Sequence, residues 1–211
     1  MRNFLILLLG LSFSGESASH TIEMEYHDFY RHIQNLRHQD TNGLTYSFGF
    51  MHINTQQLCQ INEAELILKN QTIDLTIDSE NRFEMPSTDD PDLANGKVSL
   101  DIKEPPAECE MSVRLETKAE YLKTKYSKEE LINIKRQYIS FFNEMGSFMS
   151  FGVPSVNGLM ITFDNKDLYH DIKDIGKIQN GFIIIENQVL NDIDTIIFPE
   201  IPARITALTS R

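Results

Sequence analysis

The chain has 211 residues, of which 41% are hydrophobic and 24% are charged, and this composition excludes wholesale disorder and fibrous repeats. Its formal net charge of -12 repels phosphate backbones and anionic lipid surfaces, so we expect no nucleic acid and no membrane face as a partner. Two cysteines are too few for a structural zinc site or a disulfide-rich scaffold.

The first 19 residues predict a cleaved secretory signal peptide. Arg2 gives a positive start, residues 4–11 form an apolar run, and small and polar residues follow as far as Ser19. The apolar run is much shorter than the roughly 20 residues that a permanent membrane helix needs, and no later stretch approaches that length. We therefore expect cleavage near Ser19, export into a bacterial periplasm, and no transmembrane segment in the mature chain.

Cys59 and Cys109 are the only two cysteines, and in an exported protein we expect them to have a structural role. The chain has no C-x-x-C motif that would indicate redox catalysis. An isolated pair in an oxidising compartment is usually a structural bridge, so we predict a disulfide between them. The alternative is a pair of buried free thiols.

The first half of the mature chain predicts one helix followed by strands. Tyr26, Phe29, Tyr30 and Ile33 have helical spacing and predict a helix over residues 25–38. Apolar and polar residues then alternate, which is typical of antiparallel strands with one buried face. The expected strands lie near 46–50, 58–68, 73–77, 83–86, 98–102 and 111–115. We predict an α+β fold with a mainly antiparallel sheet or β-sandwich, in a domain of residues 20–118.

The second half, residues 119–211, predicts a longer helix followed by C-terminal strands. Ser127 and Glu130 fit a capping box at the start of a helix over residues 127–150. Strands are expected at 159–163 and 182–185, with a short helix over 168–175 between them. Residues 118–128 resemble a linker, so the two halves form either two subdomains or one continuous domain.

Histidine and acidic residues give little support for a metal site. Histidines in the first helix are five and six residues apart, whereas ligand pairs on one helix face need a spacing of four. A copper site remains as a variant if cleavage makes His20 the first residue, with His52 or His170 as a further ligand. The acidic stretch at 89–92 lacks the order of a calcium loop and is typical of a solvated turn. We expect no metal and no cofactor.

No catalytic motif is present in the sequence. There is no G-x-S-x-G elbow and no glycine-rich phosphate loop, and the many carboxylates make accidental acidic pairs certain. We therefore assign no catalytic residues and expect a non-enzymatic protein. A metal-dependent or carboxylate-based periplasmic enzyme is the alternative, and a pocket containing two or more histidines or carboxylates would favour it.

The best candidate for a binding surface is the apolar face of the longer helix. Ile139, Phe142, Phe148 and Phe151 belong to a dense group of aromatic and aliphatic side chains that suits adaptable apolar contacts. Packing of an amphipathic helix against the core explains the same pattern. Our hypothesis is that part of this helix contacts an unknown protein or a small apolar ligand.

Several short motifs together resemble an uncharacterised family of exported Gram-negative proteins, known only as a domain of unknown function. The resemblance implies export and paired cysteines, and it provides no catalytic residues and no mechanism. The motifs are the Tyr26–Tyr30 helix, Gly49-Phe50, Gln57-Leu58-Cys59-Gln60-Ile61, Met85-Pro86, Leu93-Ala94-Asn95, Val98, Cys109-Glu110-Met111-Ser112-Val113, Gly158-Leu159-Met160-Ile161-Thr162-Phe163 and Ile201-Pro202-Ala203-Arg204-Ile205-Thr206.

Overall fold

The structure is a computed structural model that describes residues 19–36, 38–86, 91–146 and 153–210. It is a mixed α+β fold with antiparallel sheets and a longer helix in the middle of the chain, as the sequence predicts. The helices are α1 (Tyr26–Ile33), α2 (Lys128–Gly146) and α3 (Asn187–Asp192). The strands are β1 (His20–Glu25), β2 (Leu44–His52), β3 (Ile61–Ile67), β4 (Thr72–Asp74), β5 (Phe83–Glu84), β6 (Lys97–Ile102), β7 (Cys109–Thr117), β8 (Lys125–Ser127), β9 (Ser155–Thr162), β10 (His170–Ile172), β11 (Gly176–Ile178), β12 (Phe182–Glu186), β13 (Thr195–Ile197) and β14 (Arg204–Ser210).

Three sheets contain most of the strands, and every pairing in them is antiparallel. The first has the order β1-β6-β3-β4, the second β5-β2-β7 and the third β12-β9-β14. Two small pairs, β10-β11 and β13-β8, complete the topology. In this order β4 and β5 are edge strands of different sheets, and this placement creates the site described below.

The two faces of the β2–β7 ladder have opposite character. Phe48 is opposite Val113 on the inner face, where the Phe29 ring from α1 meets the Phe48 ring edge-on with centroids 5.1 Å apart. Ser47 is opposite Arg114 on the other face. Because successive residues in a strand point to opposite sides, one ladder provides both a wall of the core and a polar surface.

The first half of the chain follows the predicted pattern with two differences. The first helix ends at Ile33 and continues only as a short 3₁₀ turn over Gln34–Leu36, so it is shorter than the predicted 25–38. Residues 20–25, for which the sequence predicts no element, form β1 and pair with β6. Alternate residues of β1 are less exposed than their neighbours, because only one face of an edge strand meets the core.

The longer helix begins as the capping box predicts. Glu130 Oε2 accepts a hydrogen bond from Ser127 N at 2.9 Å, and Ser127 Oγ accepts one from Glu130 N at 3.3 Å. The segment predicted as a linker contains β8, whose three residues pair with β13 near the end of the chain. None of the described helices combines the length and the hydrophobicity that a membrane-spanning helix requires.

The prediction of a short helix over 168–175 is wrong, because this segment contributes to the β10–β11 hairpin. Its apolar residues fit a helical spacing, but the backbone at the turn does not: Asp174 has φ 64° and Gly176 has φ 146°. Both values lie outside the helical region and favour a reversal of the chain. The backbone conformation of these two turn residues therefore outweighs the helical spacing of the apolar residues.

Candidate functional site

A tight turn over residues 78–82 covers the polar face of the β2–β7 ladder. Asp78 Oδ1 accepts hydrogen bonds from the backbone N–H groups of Glu80 at 2.8 Å and Arg82 at 2.9 Å. Asn81 occupies the left-handed region with φ 57°, which asparagine tolerates better than most residues. The turn thus fixes the backbone of Glu80 and Arg82, whose side chains reach the ladder.

The Arg82 side chain packs against the sheet at Gly49, where the absence of a Cβ atom leaves room for it. A Cβ atom at Gly49 would be 3.1 Å from Arg82 Cγ and 3.1 Å from the carbonyl oxygen of Asn81. The Arg82 guanidinium donates to the Ser112 carbonyl at 3.1 Å and to Ser112 Oγ at 3.0 Å. Only 5% of Arg82 is exposed, which is unusual for an arginine that forms no close ion pair within the described residues.

Glu80 joins three segments that are distant in sequence. Its Oε2 atom accepts a hydrogen bond from Arg114 Nη1 at 2.7 Å and also contacts Arg204 Nη1. Its Oε1 atom lies 3.1 Å from Lys166 Nζ. One carboxylate therefore ties the 78–82 turn to β7, to β14 and to the segment after β9.

The surroundings of Glu80 and Glu116 shift the pKa of these two carboxyls in opposite directions. Desolvation alone would raise the pKa of Glu80, but hydrogen bonds from Arg204 and Arg114 outweigh it and lower the pKa to about 2. Desolvation raises the pKa of Glu116 above its ordinary value, although Arg114 Nε donates to Glu116 Oε2 at 2.7 Å. Glu116 is only 8% exposed, so the effect of burial on its pKa is larger than the effect of Arg114.

An open cleft of about 470 Å³ borders this charged cluster. It lies between β4 and β5, and its volume falls within the usual range for small-ligand sites. Apolar side chains make up much of the wall, while Arg82 and Glu116 are the buried charged residues that line it. The remaining lining residues are Ser47, Ile73, Asp74, Leu75, Thr76, Asp78, Phe83, Glu84, Met85 and Pro86.

The predicted disulfide between Cys59 and Cys109 is confirmed, with an S–S distance of 2.05 Å. It joins the segment before β3 to the first residue of β7. Glu104 lies within 4.8 Å of both sulfurs, and this is the one group of potential metal ligands found among the described residues. Because both sulfurs are consumed by the disulfide, a single carboxylate remains, and this set does not fit a metal ion.

The structure describes two of the four predicted partner-binding residues. Ile139 and Phe142 are half-buried on α2, and Phe142 packs against the core, with its ring centroid 5.3 Å from that of Phe141. Phe148 and Phe151 lie outside the described residues. Contact of this helix face with a partner therefore stays a prediction.

The histidines of the copper variant lie in three different strands. His20 begins β1, His52 ends β2 and His170 begins β10. His52 Nε2 lies 3.1 Å from Glu108 Oε2, so its ring already has a carboxylate neighbour. Nothing in these positions brings the three rings into a common ligand set.

Sequence reasoning missed the Arg82, Glu80 and Glu116 cluster. Strand alternation places Arg114 and Glu116 on one face of β7, and a polar face in such a pattern is expected to be solvated. The turn that covers it is polar and has no apolar period. A signal did exist in Gly49, a glycine inside an alternating strand, which often marks close approach of another chain segment.

Comparisons with known proteins give a family and no activity. No curated protein and no solved structure matches the chain. A family model matches residues 18–163, so the motif at 201–206 lies outside the matched span. The chain therefore belongs to the family described as "Protein of unknown function (DUF2987)".

Proposed function

We propose that this chain is an exported protein of the bacterial periplasm that binds a ligand in the β4–β5 cleft without changing it chemically. The cleft is the observation that carries the proposal. Its wall combines apolar side chains with charged ones, of which Arg82 and Glu116 are buried. Ligand sites commonly combine an apolar wall with a few well-placed polar groups.

Export is supported by the disulfide together with the leader-like pattern of residues 1–19. Structural disulfides persist in oxidising compartments and are rare in the cytosol. The Cys59–Cys109 bond therefore fits a protein that matures after export. Intact mass measurement of protein from the periplasmic fraction tests this: we expect a chain beginning near His20 with no free thiol. Full-length reduced chain in the cytosol would contradict export.

Site-specific photocrosslinking in intact cells tests ligand binding. Thr76 is exposed and lines the cleft, so a photoreactive amino acid there samples any occupant. Glu63 is exposed on β3 and provides a matched control position. We expect a discrete adduct from position 76, weakened by the lining substitution Glu84→Lys, and none from position 63. Equal labelling at both positions, or an adduct unaffected by Glu84→Lys, would contradict the proposal.

A carboxylate-based enzyme is a second candidate, favoured by one observation. Four carboxylates line the cleft, which is the arrangement expected to favour an enzyme, and burial raises the pKa of one of them, Glu116, as in residues that act as general acids. The captured ligand distinguishes the two functions. Recovery of the same unaltered compound from the wild-type protein and from Glu116→Gln supports binding, whereas a product formed only by the wild type supports catalysis.

A further inference from the structure

The β4–β5 cleft is formed by two chain segments that separate from a common hairpin. Ile77 and Phe83 form an antiparallel bridge, and the two arms diverge beyond it. One arm leads back to β4, at the edge of the four-stranded sheet, and the other continues through β5, at the edge of the three-stranded sheet. An edge strand presents backbone N–H and C=O groups to an extended chain that enters beside it. In this cleft the open edge is that of β4, because Phe83 of β5 already pairs with Phe48 on one side and with Ile77 on the other.

The lining of this cleft is strongly acidic. Four carboxylates, those of Asp74, Asp78, Glu84 and Glu116, accompany the single cation Arg82. Within the described residues Asp74 and Glu84 form no ion pair, whereas Asp78 and Glu116 lie near Arg114. The cleft is therefore suited to positive charge, and the net charge of -12 attracts cations over a longer range.

Arg82 is the single cation in this lining, and its guanidinium already donates to the carbonyl and the Oγ of Ser112. The four carboxylates therefore set the charge of the cleft and would repel an anion. The open edge of β4 favours an extended chain over a small cation, because a strand edge pairs with another main chain.

We propose that the occupant is a basic peptide segment bound in extended conformation between β4 and β5, an inference that rests on the proposed function. Its lysine or arginine side chains would pair with Asp74 and Glu84, and its apolar side chains would contact Ile73 and Pro86, the partly exposed apolar residues of the lining. Its backbone N–H and C=O groups would pair with the open edge of β4.

Fluorescence anisotropy with synthetic peptides tests this proposal on the mature chain. The probes are a labelled Lys-Val-Lys-Val-Lys-Val peptide, its Glu-Val counterpart, and the basic peptide methylated on alternate backbone nitrogens. We expect the unmodified basic peptide to bind about tenfold more tightly than either of the others. Equal affinity for the acidic peptide excludes charge recognition, and equal affinity for the methylated peptide excludes strand pairing.

A pair of matched variants separates the cleft from general electrostatic attraction. Asp74→Asn with Glu84→Gln removes two lining carboxylates, and Glu63→Gln with Glu110→Gln removes two exposed ones elsewhere. We expect about a tenfold loss of basic-peptide affinity in the first variant and little change in the second. Equal losses overturn the proposal. A crosslink at position 76 in cells without basic-peptide binding would reject the peptide and retain the cleft as a ligand site.

Discussion

Glu80 and Arg114 are 34 residues apart in the chain, and their Oε2 and Nη1 atoms are 2.7 Å apart in the structure. This contact fixes the 78–82 turn on the polar face of β7. Arg204 extends the cluster to the third sheet, and Lys166 extends it to the segment after β9. The cleft wall contains residues of the same turn. The charged cluster therefore holds the shape of the candidate site as well as joining the sheets.

Glu80→Gln is expected to lower the free energy of unfolding by about 2–3 kcal/mol at pH 7. The pKa of Glu80 in the folded chain is about 2, compared with an ordinary value of 4.5. Because folding lowers this pKa, the ionised Glu80 carboxylate stabilises the fold at pH values above 4.5. This stabilisation is lost as the pH falls from 4.5 towards 2. Urea unfolding of the variant and of the exposed control Glu63→Gln measures it. A difference from wild type that stays constant between pH 7 and pH 3 would argue against this ion cluster.

Glu116→Gln is expected to show the opposite pH dependence. Burial raises the pKa of Glu116, so ionising this carboxyl opposes folding as the pH rises from the ordinary value of 4.5 through the folded value. The stability of the variant relative to wild type should therefore improve with rising pH. At neutral pH we expect the two to agree within about 1 kcal/mol, because Arg114 keeps its bond to Glu80. The same urea series checks this, and a loss that grows with pH would be inconsistent with the burial of Glu116.

Replacing both cysteines by serine is expected to lower the free energy of unfolding by about 4 kcal/mol in the chain-entropy model. The Cys59–Cys109 bond closes a loop with a sequence separation of 50, which is long enough for a large effect. Wild-type protein treated with a reductant is the control, and it should unfold at the same urea concentration as the double variant. Unchanged unfolding after verified reduction would show that the bond contributes nothing to stability.

Ile139→Lys tests the predicted partner face of α2. Ile139 is half-buried, whereas Ile134 on the same helix is 4% exposed and belongs to the core. If Ile139 contacts a partner, its substitution should cost less than about 1 kcal/mol in the isolated chain, while Ile134→Lys should prevent folding. Circular dichroism melting compares the two. Collapse of both variants would identify Ile139 as a core residue and remove the hypothesis at that site.

Features for which the sequence leaves few possible partners were predictable. The capping box of Ser127 and Glu130 spans one helical turn, and both of its hydrogen bonds form. The Cys59–Cys109 bond was predictable because the chain offers one possible pair and because export favours oxidation. In each case the sequence itself restricts the number of possible partners.

The charged cluster was not predictable, because its partners come from four separate segments. Glu80 meets Lys166 and Arg204, which are 86 and 124 residues away in sequence. Nothing in the local pattern around any of them distinguishes a buried ion pair from a solvated charge. The prediction of a helix in the β10–β11 segment was wrong for a different reason. Its apolar residues have helical spacing, but the positive φ values of Asp174 and Gly176 do not fit a helix.

Carboxyl footprinting of the protein in intact cells is the most direct test of ligand binding in the β4–β5 cleft. A water-soluble carbodiimide modifies accessible carboxylates, and mass spectrometry compares each site between cells and purified, ligand-free protein. We expect lower modification of Asp74 and Glu84 in cells, with equal modification of the exposed control residues Glu63 and Glu110. Equal modification of all four residues in both states would contradict an occupied cleft.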